Sequence, residues 1–124
     1  MKRDYAPVFI NLSNHPSCDW DETQMAAARH YGQVVDLPFP QIEPTATAQQ
    51  VQQQAEQVAE SIINMGETAT ITVHVMGEMT FVFHVVTMLK QHGVRCVAST
   101  TERIAIEEDF TKVSMFSFVQ FREY

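Results

Sequence analysis

Four short apolar runs dominate the first three-quarters of this chain, and a compact cluster of polar or turn-forming residues follows each one at once. The runs are Val8–Leu12, Val34–Leu37, Ile71–Val75 and Val94–Ala98. Short runs rich in β-branched residues are typical of buried strands, and helical patterns lie between them. Strands that alternate with helices form parallel sheets, so all four clusters are predicted to lie at one edge of one sheet. Open α/β sheets bind ligands at that edge, and the pattern therefore predicts where a site lies before it indicates the chemistry.

Three helices are predicted between these strands. They are expected from the Asp21 cap to about Tyr31, from the Thr47 cap to Gly66, and from Phe81 to His92. Asp19 with Glu22 is a second capping-box candidate for the first helix, and Thr80 is a candidate cap for the third. The second helix carries one apolar stripe opposite a Gln-rich face, so it is expected to cover the sheet and to face water.

The tail of the chain has a different pattern. Ile104–Ile106, an acidic turn at Glu107–Asp109 and the alternating run Val113–Phe121 predict an antiparallel hairpin with a bulge or a change of face. The complete order is then β-α-β-α-β-α-β-β-β. Right-handed crossovers turn this order into a single α/β domain over residues 1–124. We expect a three-layer, Rossmann-like, mainly parallel sheet with helices on both faces and a C-terminal antiparallel hairpin.

Composition limits the class of partner. The net charge is −7, with a pI near 5.0. This charge disfavours long nucleic acid, which is bound through lysine and arginine, but it leaves a small anionic ligand open. No apolar stretch is long enough to cross a bilayer and no secretory signal core is present, so no membrane partner is expected. Cys18 and Cys96 have no CxxC partner and no zinc-ligand spacing occurs. We therefore expect a cytoplasmic protein without a metal or another cofactor, with a chance pairing of the two cysteines left open.

The cluster after the first strand is the most suggestive. Ser13, Asn14 and His15 bring a hydroxyl, an amide and an imidazole to one strand end, and Pro16 stiffens the exit. An imidazole titrates near neutral pH, so His15 is a candidate general acid or base. The alternative is a turn in which Ser13 and Asn14 bond the local backbone.

The cluster after the third strand joins strand and helix tightly, through Met76, Gly77, Glu78 and Thr80. Its single glycine is weak support for a phosphate cradle, although the first amides of the third helix would face the same edge. Glu78 is a candidate base or a partner for a ribose hydroxyl. The alternative, a carboxylate that caps the helix dipole, is equally compatible with the sequence.

The cluster after the fourth strand offers three hydroxyls, on Ser99, Thr100 and Thr101, and one guanidinium, on Arg103. Arginine forks onto phosphate oxygens, so Arg103 is a candidate phosphate contact. The alternative is a surface ion pair that contributes little.

The remaining candidates favour structural roles. His74 lies inside a strand and is predicted to be a satisfied core histidine. Trp20 is predicted to pack in the core, with stacking on a base as the alternative. The methionines and phenylalanines of the third helix and the tail predict core, with a dimer face as the alternative.

Taken together, the chain resembles the small stand-alone accessory proteins of type III CRISPR systems with a CARF-like, Rossmann-type fold, among them the compact ring nucleases. The resemblance lies in Asn11–Pro16 at the end of strand one, in Gln24 on the next helix, in Gly77–Glu78 before an apolar helix, and in Ser99–Arg103. One departure is that Asn14 separates Ser13 from His15.

This resemblance implies that a homodimer binds cyclic oligoadenylate, usually the ring of four adenosines, and cleaves it without a metal to end CRISPR signalling in antiviral defence. A two-fold ring matches an isologous interface. Cleavage would be attack of a ribose 2′-hydroxyl on the adjacent phosphate. The implied roles are proton transfer for His15 or Glu78, phosphate contact for Arg103, Ser13 and Thr101, and an amide cradle at Gly77.

Three other functions remain open. The same pocket would serve a sensor or sponge that holds a cyclic nucleotide intact. The aromatic tail would suit an interaction subunit that docks a partner protein. A different small-molecule enzyme, such as a nucleoside or sugar-phosphate hydrolase, is also compatible with the sequence.

Overall fold

The structure, a computed structural model, describes residues 6–124, so the first five residues of the expected domain lie outside the described part. The strands are β1 (Val8–Ser13), β2 (Gln33–Asp36), β3 (Ile71–Met76), β4 (Arg95–Glu108) and β5 (Thr111–Glu123). The helices are α1 (Glu22–Tyr31), α2 (Ala48–Ile63) and α3 (Met79–Gln91), with short 3-10 turns at Ser17–Asp19 and Thr68–Thr70.

The five strands form one sheet in the order β2-β1-β3-β4-β5. The β1–β2, β1–β3 and β3–β4 pairs are parallel, and β4–β5 is antiparallel. Because the chain moves from β1 outward to β2 and then returns to β3, the direction of winding reverses between β1 and β3. A crevice forms at such a reversal, outside the carboxyl ends of the strands.

Helices cover both faces of the sheet. Ile10 and Leu12 of β1 pack with the apolar stripes of α2 and α3, including Ile62 and Phe81. Phe9, one position away in β1 and therefore on the opposite face, packs with α1 and β5. The predicted three-layer α/β class, with a mainly parallel sheet and a C-terminal antiparallel hairpin, is confirmed.

Two of the predicted helix caps are confirmed, and two other candidates are corrected. Asp21 caps α1 by accepting a hydrogen bond from the Gln24 amide, and Thr47 forms the predicted capping box with Gln50. Asp19 lies in a 3-10 turn instead of capping α1. The cap of α3 is Glu78 and not Thr80, because the Glu78 carboxylate accepts from the Phe81 amide.

The predicted order β-β-β after α3 is wrong. The cluster Ser99–Arg103 does not leave the sheet, and β4 continues without a break from Arg95 to Glu108. The antiparallel ladder with β5 pairs the backbone of this polar segment. The strand therefore continues past the point where the apolar run ends. The bulge lies at Val119, because Thr100 pairs with Gln120 and Thr101 pairs with Phe118.

The outer part of this hairpin extends past the rest of the sheet. Pairing of β3 with β4 ends at His74 and Val97, whereas β4 and β5 stay paired up to Glu108 and Thr111. We call the segment Glu102–Glu108, paired with Thr111–Ser117, the ribbon. Almost all of its residues are exposed.

The expectations about membrane spans and about cysteine pairing can be compared with the structure. None of the helices in the described part is long and apolar enough to cross a membrane. Cys18 is exposed, Cys96 is buried, and both are free thiols.

Candidate functional site

A cavity of about 570 Å³ opens at the carboxyl edge of the sheet, on the face that α1 covers. We call it the edge pocket. Ligand sites typically measure about 300–1,000 Å³, so its size suits a small molecule or part of a larger one. The residues that line it come from β1, β3, β4, β5, α1 and the loops at the strand ends: Ser13, Asn14, His15, Asp19, Trp20, Gln24, His74, Met76, Gly77, Ser99, Thr101 and Phe116.

A buried amide organises the floor of the edge pocket. Asn11 is 2% exposed, and its Oδ1 accepts a hydrogen bond from Ser13 Oγ at 2.8 Å. Its Nδ2 donates at 2.9 Å to the carbonyl of His15 and at 2.9 Å to Asp36 Oδ1. The His15 amide also donates to Ser13 Oγ, at 3.2 Å. The backbone of His15 is therefore fixed while its side chain stays exposed at the pocket wall.

Asp36, at the end of β2, fixes the orientation of that amide. A carboxylate only accepts hydrogen bonds, so it holds the Nδ2 end of Asn11 and leaves Oδ1 directed at β3. Partial burial alone would raise the pKa of Asp36, but hydrogen bonds from the side chain of Ser17, the side chain of Asn11 and the backbone of Ser17 lower it on balance. Asp36 is thus a carboxylate at neutral pH.

This orientation determines the tautomer of His74. His74 Nδ1 lies 2.9 Å from Asn11 Oδ1, which only accepts, so Nδ1 carries the proton and Nε2 carries a lone pair. Burial first, and repulsion by His15 second, lower the pKa of His74 to about 4, so the ring is neutral at pH 7. His74 is 2% exposed, lines the edge pocket, and has no hydrogen-bond partner at Nε2 within the described residues.

Trp20 supplies the complementary group. Its Nε1–H is buried and also lacks a partner in the described part of the chain, and its ring meets His74 edge-on with centroids 5.6 Å apart. Phe9 stacks on the His74 ring at 6.3 Å, and Phe121 packs at 5.3 Å from it. The aromatic packing holds both rings in place. Two residues of the pocket lining thus hold one acceptor and one donor in fixed positions, each buried and each unpaired among the described residues.

The structure brings together seven of the predicted site residues and leaves four outside the lining. Those in the pocket wall are Ser13, Asn14, His15, Met76, Gly77, Ser99 and Thr101. Those outside it are Glu78, Thr80, Thr100 and Arg103. The Ser13 hydroxyl is occupied by Asn11 and the His15 backbone, as in the alternative of a local turn. The Ser99 hydroxyl and amide both contact the Met76 sulfur, at 2.9 and 3.3 Å.

The Glu78 side chain caps the N-terminus of α3. Its carboxylate accepts from the Phe81 amide at 2.8 Å and from the Thr80 hydroxyl at 2.6 and 2.8 Å. The Thr80 side chain first and the Phe81 amide second lower the pKa of this exposed carboxylate, which makes it a weaker base. It also occupies the positive end of the helix dipole, where a phosphate would otherwise bind.

Gly77 is packed closely rather than open on all sides. A Cβ at this position would clash with the Phe39 ring, so a larger residue would require that ring to shift. Phe39, from the connector after β2, thereby closes one side of the strand end and leaves the pocket side of Gly77 free.

Thr100 and Arg103 lie on opposite faces of β4. Thr100 bonds the Gln120 backbone. Arg103 points to the same face as Thr101, is paired with Phe116, and donates to Ser114 Oγ at 2.9 and 3.2 Å. Because Thr101 and Phe116 line the pocket, Arg103 lies one step outside its rim on the ribbon.

Sequence reasoning assigned His74 and Trp20 to the core and did not select Asp19 or Phe116. One signal was present: Asn11 and His74 each place a polar side chain inside an apolar run. They are register partners on neighbouring strands. Two buried polar residues at matching positions indicate a pair, but the match depends on the β1–β3 register, which the sequence did not fix.

The arrangement suits hydrogen bonding and acid–base chemistry better than metal binding. No group of three or more His, Cys, Asp or Glu side chains that could hold a metal ion occurs among the described residues. The exposed imidazole of His15 and the neutral ring of His74 flank the same cavity.

The family model described as "Uncharacterized protein MJ1673 family" matches residues 7–122. The chain belongs to this family. No curated protein and no solved structure matches the chain. All the residues of the edge pocket, together with Asn11, Asp36 and the ribbon, lie inside the region that the MJ1673 family model covers.

Proposed function

We propose that the edge pocket binds an adenine base of cyclic oligoadenylate, and that a homodimer holds one ring across two such pockets. The observation that carries this proposal is the pair of buried, unpartnered atoms, the lone pair of His74 Nε2 and the Nε1–H of Trp20. Leaving such atoms unpaired costs about 1–3 kcal/mol each, and a ligand that satisfies them recovers this free energy. A matching ligand edge presents a donor beside an acceptor, as adenine does with its N6 amine and N7.

The aromatic side chains support a base in this position. Phe116 is 70% exposed, and both Phe116 and Trp20 line the edge pocket. A base that stacks on an aromatic ring gains roughly 1–3 kcal/mol, and single-stranded nucleotides are commonly bound this way.

Cleavage of the ring is the further step of the proposal. A ribose 2′-hydroxyl attacks the adjacent phosphorus as the bond from phosphorus to the 5′-oxygen breaks, leaving a 2′,3′-cyclic phosphate and a 5′-hydroxyl. The proton leaves the 2′-hydroxyl for a base, and a proton returns to the 5′-oxygen. His15 is the group best placed for this transfer because its side chain is free at the wall, whereas Glu78 is held by its cap. Arg103 would reach the phosphate after leaving Ser114.

Binding without cleavage is the second candidate, and one observation favours it. No lysine or arginine is among the lining residues in the described part of the chain. Charge that develops on the phosphoryl oxygens would therefore be stabilised mainly by Arg103 from the ribbon. A pocket that holds the ring intact would act as a sensor or sponge.

The single tryptophan of the chain makes the test direct, since Trp20 lies in the pocket. We expect cyclic tetra-adenylate to change Trp20 fluorescence with a saturable dose response, and cyclic tetra-uridylate to bind at least ten-fold more weakly. His74→Gln should weaken binding by roughly ten-fold or more. His30→Gln, on the exposed end of α1, is the matched control and should bind like the native chain.

Product analysis with labelled ring separates the two candidates. Linear product that disappears in His15→Ala supports cleavage, and a retained intact ring supports the sensor or sponge. Absence of any interaction with cyclic oligoadenylates contradicts both.

A further inference from the structure

The ribbon has one apolar and one polar face. In the β4–β5 register Ile104 pairs with Met115 and Ile106 pairs with Val113, so these four side chains share one face. They are between 41 and 54% exposed, although each is a large hydrophobic residue. The other face carries Arg103, Ala105, Glu107, Lys112, Ser114 and Phe116. Four neighbouring apolar side chains on a projecting, two-stranded element indicate a surface that another surface covers.

The apolar face of the ribbon is on the α3 side of the sheet. Cys96 of β4 belongs to the core under α2 and α3, and alternation along the strand places Ile104 and Ile106 on the same side as Cys96. The bulge at Val119 lies in β5 and does not change this alternation in β4.

A second unpartnered apolar surface lies on α3 itself. Met79 and Phe83 are 83 and 66% exposed, one helical turn apart. They border a groove of about 610 Å³ that continues past Val82 and Val86 to Lys90 and Tyr124. We call this the α3 groove. The ribbon of the same chain leaves it uncovered.

The two surfaces match in spacing and charge. Ile104 and Ile106 are separated by about 7 Å along the strand, and Met79 and Phe83 by about 6 Å along the helix. Glu102 and Glu108 lie on the apolar face at the two ends of the ribbon, and Lys90 lies at the far end of the α3 groove. The Lys90 ammonium donates one hydrogen bond to the Tyr124 carbonyl oxygen, at 2.8 Å, and has two further donors. A carboxylate thus meets an ammonium when the apolar pairs are superposed.

We infer that the ribbon of one chain packs its apolar face into the α3 groove of a second copy, and that the second copy does the same in return. Both surfaces belong to every chain, and a reciprocal exchange between two copies uses each surface once, so this arrangement closes into a two-fold dimer. This inference rests on the proposed function for the expectation of a homodimer, and it names the residues that form it. The edge pocket opens on the α1 side of the sheet and shares Met76 and Gly77, at the end of β3, with the α3 groove. The inferred contact is centred on Met79 and Phe83, beyond these shared residues, so the edge pockets stay open.

Sedimentation of the full chain without nucleotide tests the inference. We expect a dimer for the native chain and for Ala105→Asp, and a monomer for Ile106→Asp. These two variants place the same charge on adjacent, exposed residues of β4 that point to opposite faces, so they are matched. Phe83→Asp should also give a monomer, from the other side of the contact.

Mixing the two monomeric variants completes the test. A mixture of Ile106→Asp and Phe83→Asp should restore dimers, because one ribbon–groove contact between unlike chains is then intact. Restoration also shows that both variants are folded. A monomeric native chain, a dimer that persists in Ile106→Asp, or a mixture without dimers would overturn the inference.

Nucleotide binding is measured separately on the same proteins. A dimer that binds no cyclic oligoadenylate contradicts the proposed function and leaves this inference standing. A monomer that binds the ring contradicts this inference and leaves nucleotide binding standing.

Discussion

The amide of Asn11 has two ends, and each end meets a partner of opposite polarity. Its Nδ2 faces the Asp36 carboxylate and its Oδ1 faces His74 Nδ1, both at 2.9 Å. A charge on β2 thereby decides which nitrogen of a ring on β3 is protonated. The proton position on His74 in turn decides whether the edge pocket offers a ligand an acceptor or a donor.

Asp36→Asn should weaken the chain of hydrogen bonds from position 36 through Asn11 to His74, which we call the relay. An amide at position 36 bonds either end of Asn11, so the orientation of Asn11 then depends on its hydrogen bond to the His15 carbonyl alone. A fraction of Asn11 turns, and in that fraction His74 moves its proton to Nε2. We expect nitrogen chemical shifts of the His74 ring to change from one Nδ1–H tautomer to a mixture, and ring affinity to fall by roughly ten-fold. Glu43→Gln, at an exposed carboxylate outside the pocket lining, is the control. An unchanged, single tautomer in Asp36→Asn would contradict the relay.

Protonation of His74 should make stability depend on pH. Its pKa is about 4 in the folded chain and 6.5 without the fold, so between these values the unfolded chain binds the additional proton. The contribution is present in full above pH 6.5 and is lost as the pH falls to about 4. Its size is on the order of 3 kcal/mol.

Urea unfolding at a series of pH values measures this dependence. His74→Gln should lack the part of the slope between pH 4 and 6.5, whereas the exposed His30→Gln should keep it. The expectation fails if the native chain and His74→Gln lose stability in parallel.

At the scale of elements, the sequence predicted the features that depend on contacts between residues close together in the chain, such as helix starts. Asp21 and Thr47 begin helices because each side chain bonds an amide three residues ahead, and such pairs are visible in sequence. The length of β4 was not visible, because the polar segment after Ala98 is held by a ladder to β5. Pairing between strands overrides the low strand propensity of individual residues.

The turn of the hairpin carries backbone strain that a substitution should relieve. Asp109 and Phe110 have φ of 47° and 67°, the left-handed values of a two-residue hairpin loop that favours glycine in the second place. Phe110 is fully exposed, so its ring adds no packing within the chain. We expect Phe110→Gly to slow amide hydrogen exchange of the ribbon about three-fold.

Phe110→Ala separates the two effects of that substitution. It removes the same ring but keeps a Cβ at positive φ, so ribbon exchange should stay near the native rate. Equal protection in the alanine and glycine variants would show that the turn is not strained.

At the scale of the whole molecule, the sequence predicted the position of the edge pocket better than its lining. Polar clusters after successive strands indicated the carboxyl edge, where Ser13, His15 and Gly77 do line one cavity. The atoms that carry the proposal, on His74 and Trp20, were assigned to the core because their surroundings depend on β1–β3 register and on α1 packing. A polar atom's lack of a partner is a property of three-dimensional packing that no local pattern contains.

If two chains associate as inferred, their two edge pockets lead to a test of how the dimer binds its ligand. If one ring spans both pockets, calorimetry should give one cyclic tetra-adenylate for every two chains, whereas adenosine monophosphate should bind once per chain. Ile106→Asp, which we expect to be monomeric, should then lose ring affinity by about 10²–10⁴-fold, because the second base no longer binds at high effective concentration. Its affinity for adenosine monophosphate should stay unchanged, since the edge pocket lies on the opposite face of the sheet from Ile106. Ala105→Asp should keep both affinities. One ring per chain, or equal loss of ring and monophosphate in Ile106→Asp, would show that each chain binds its ligand alone.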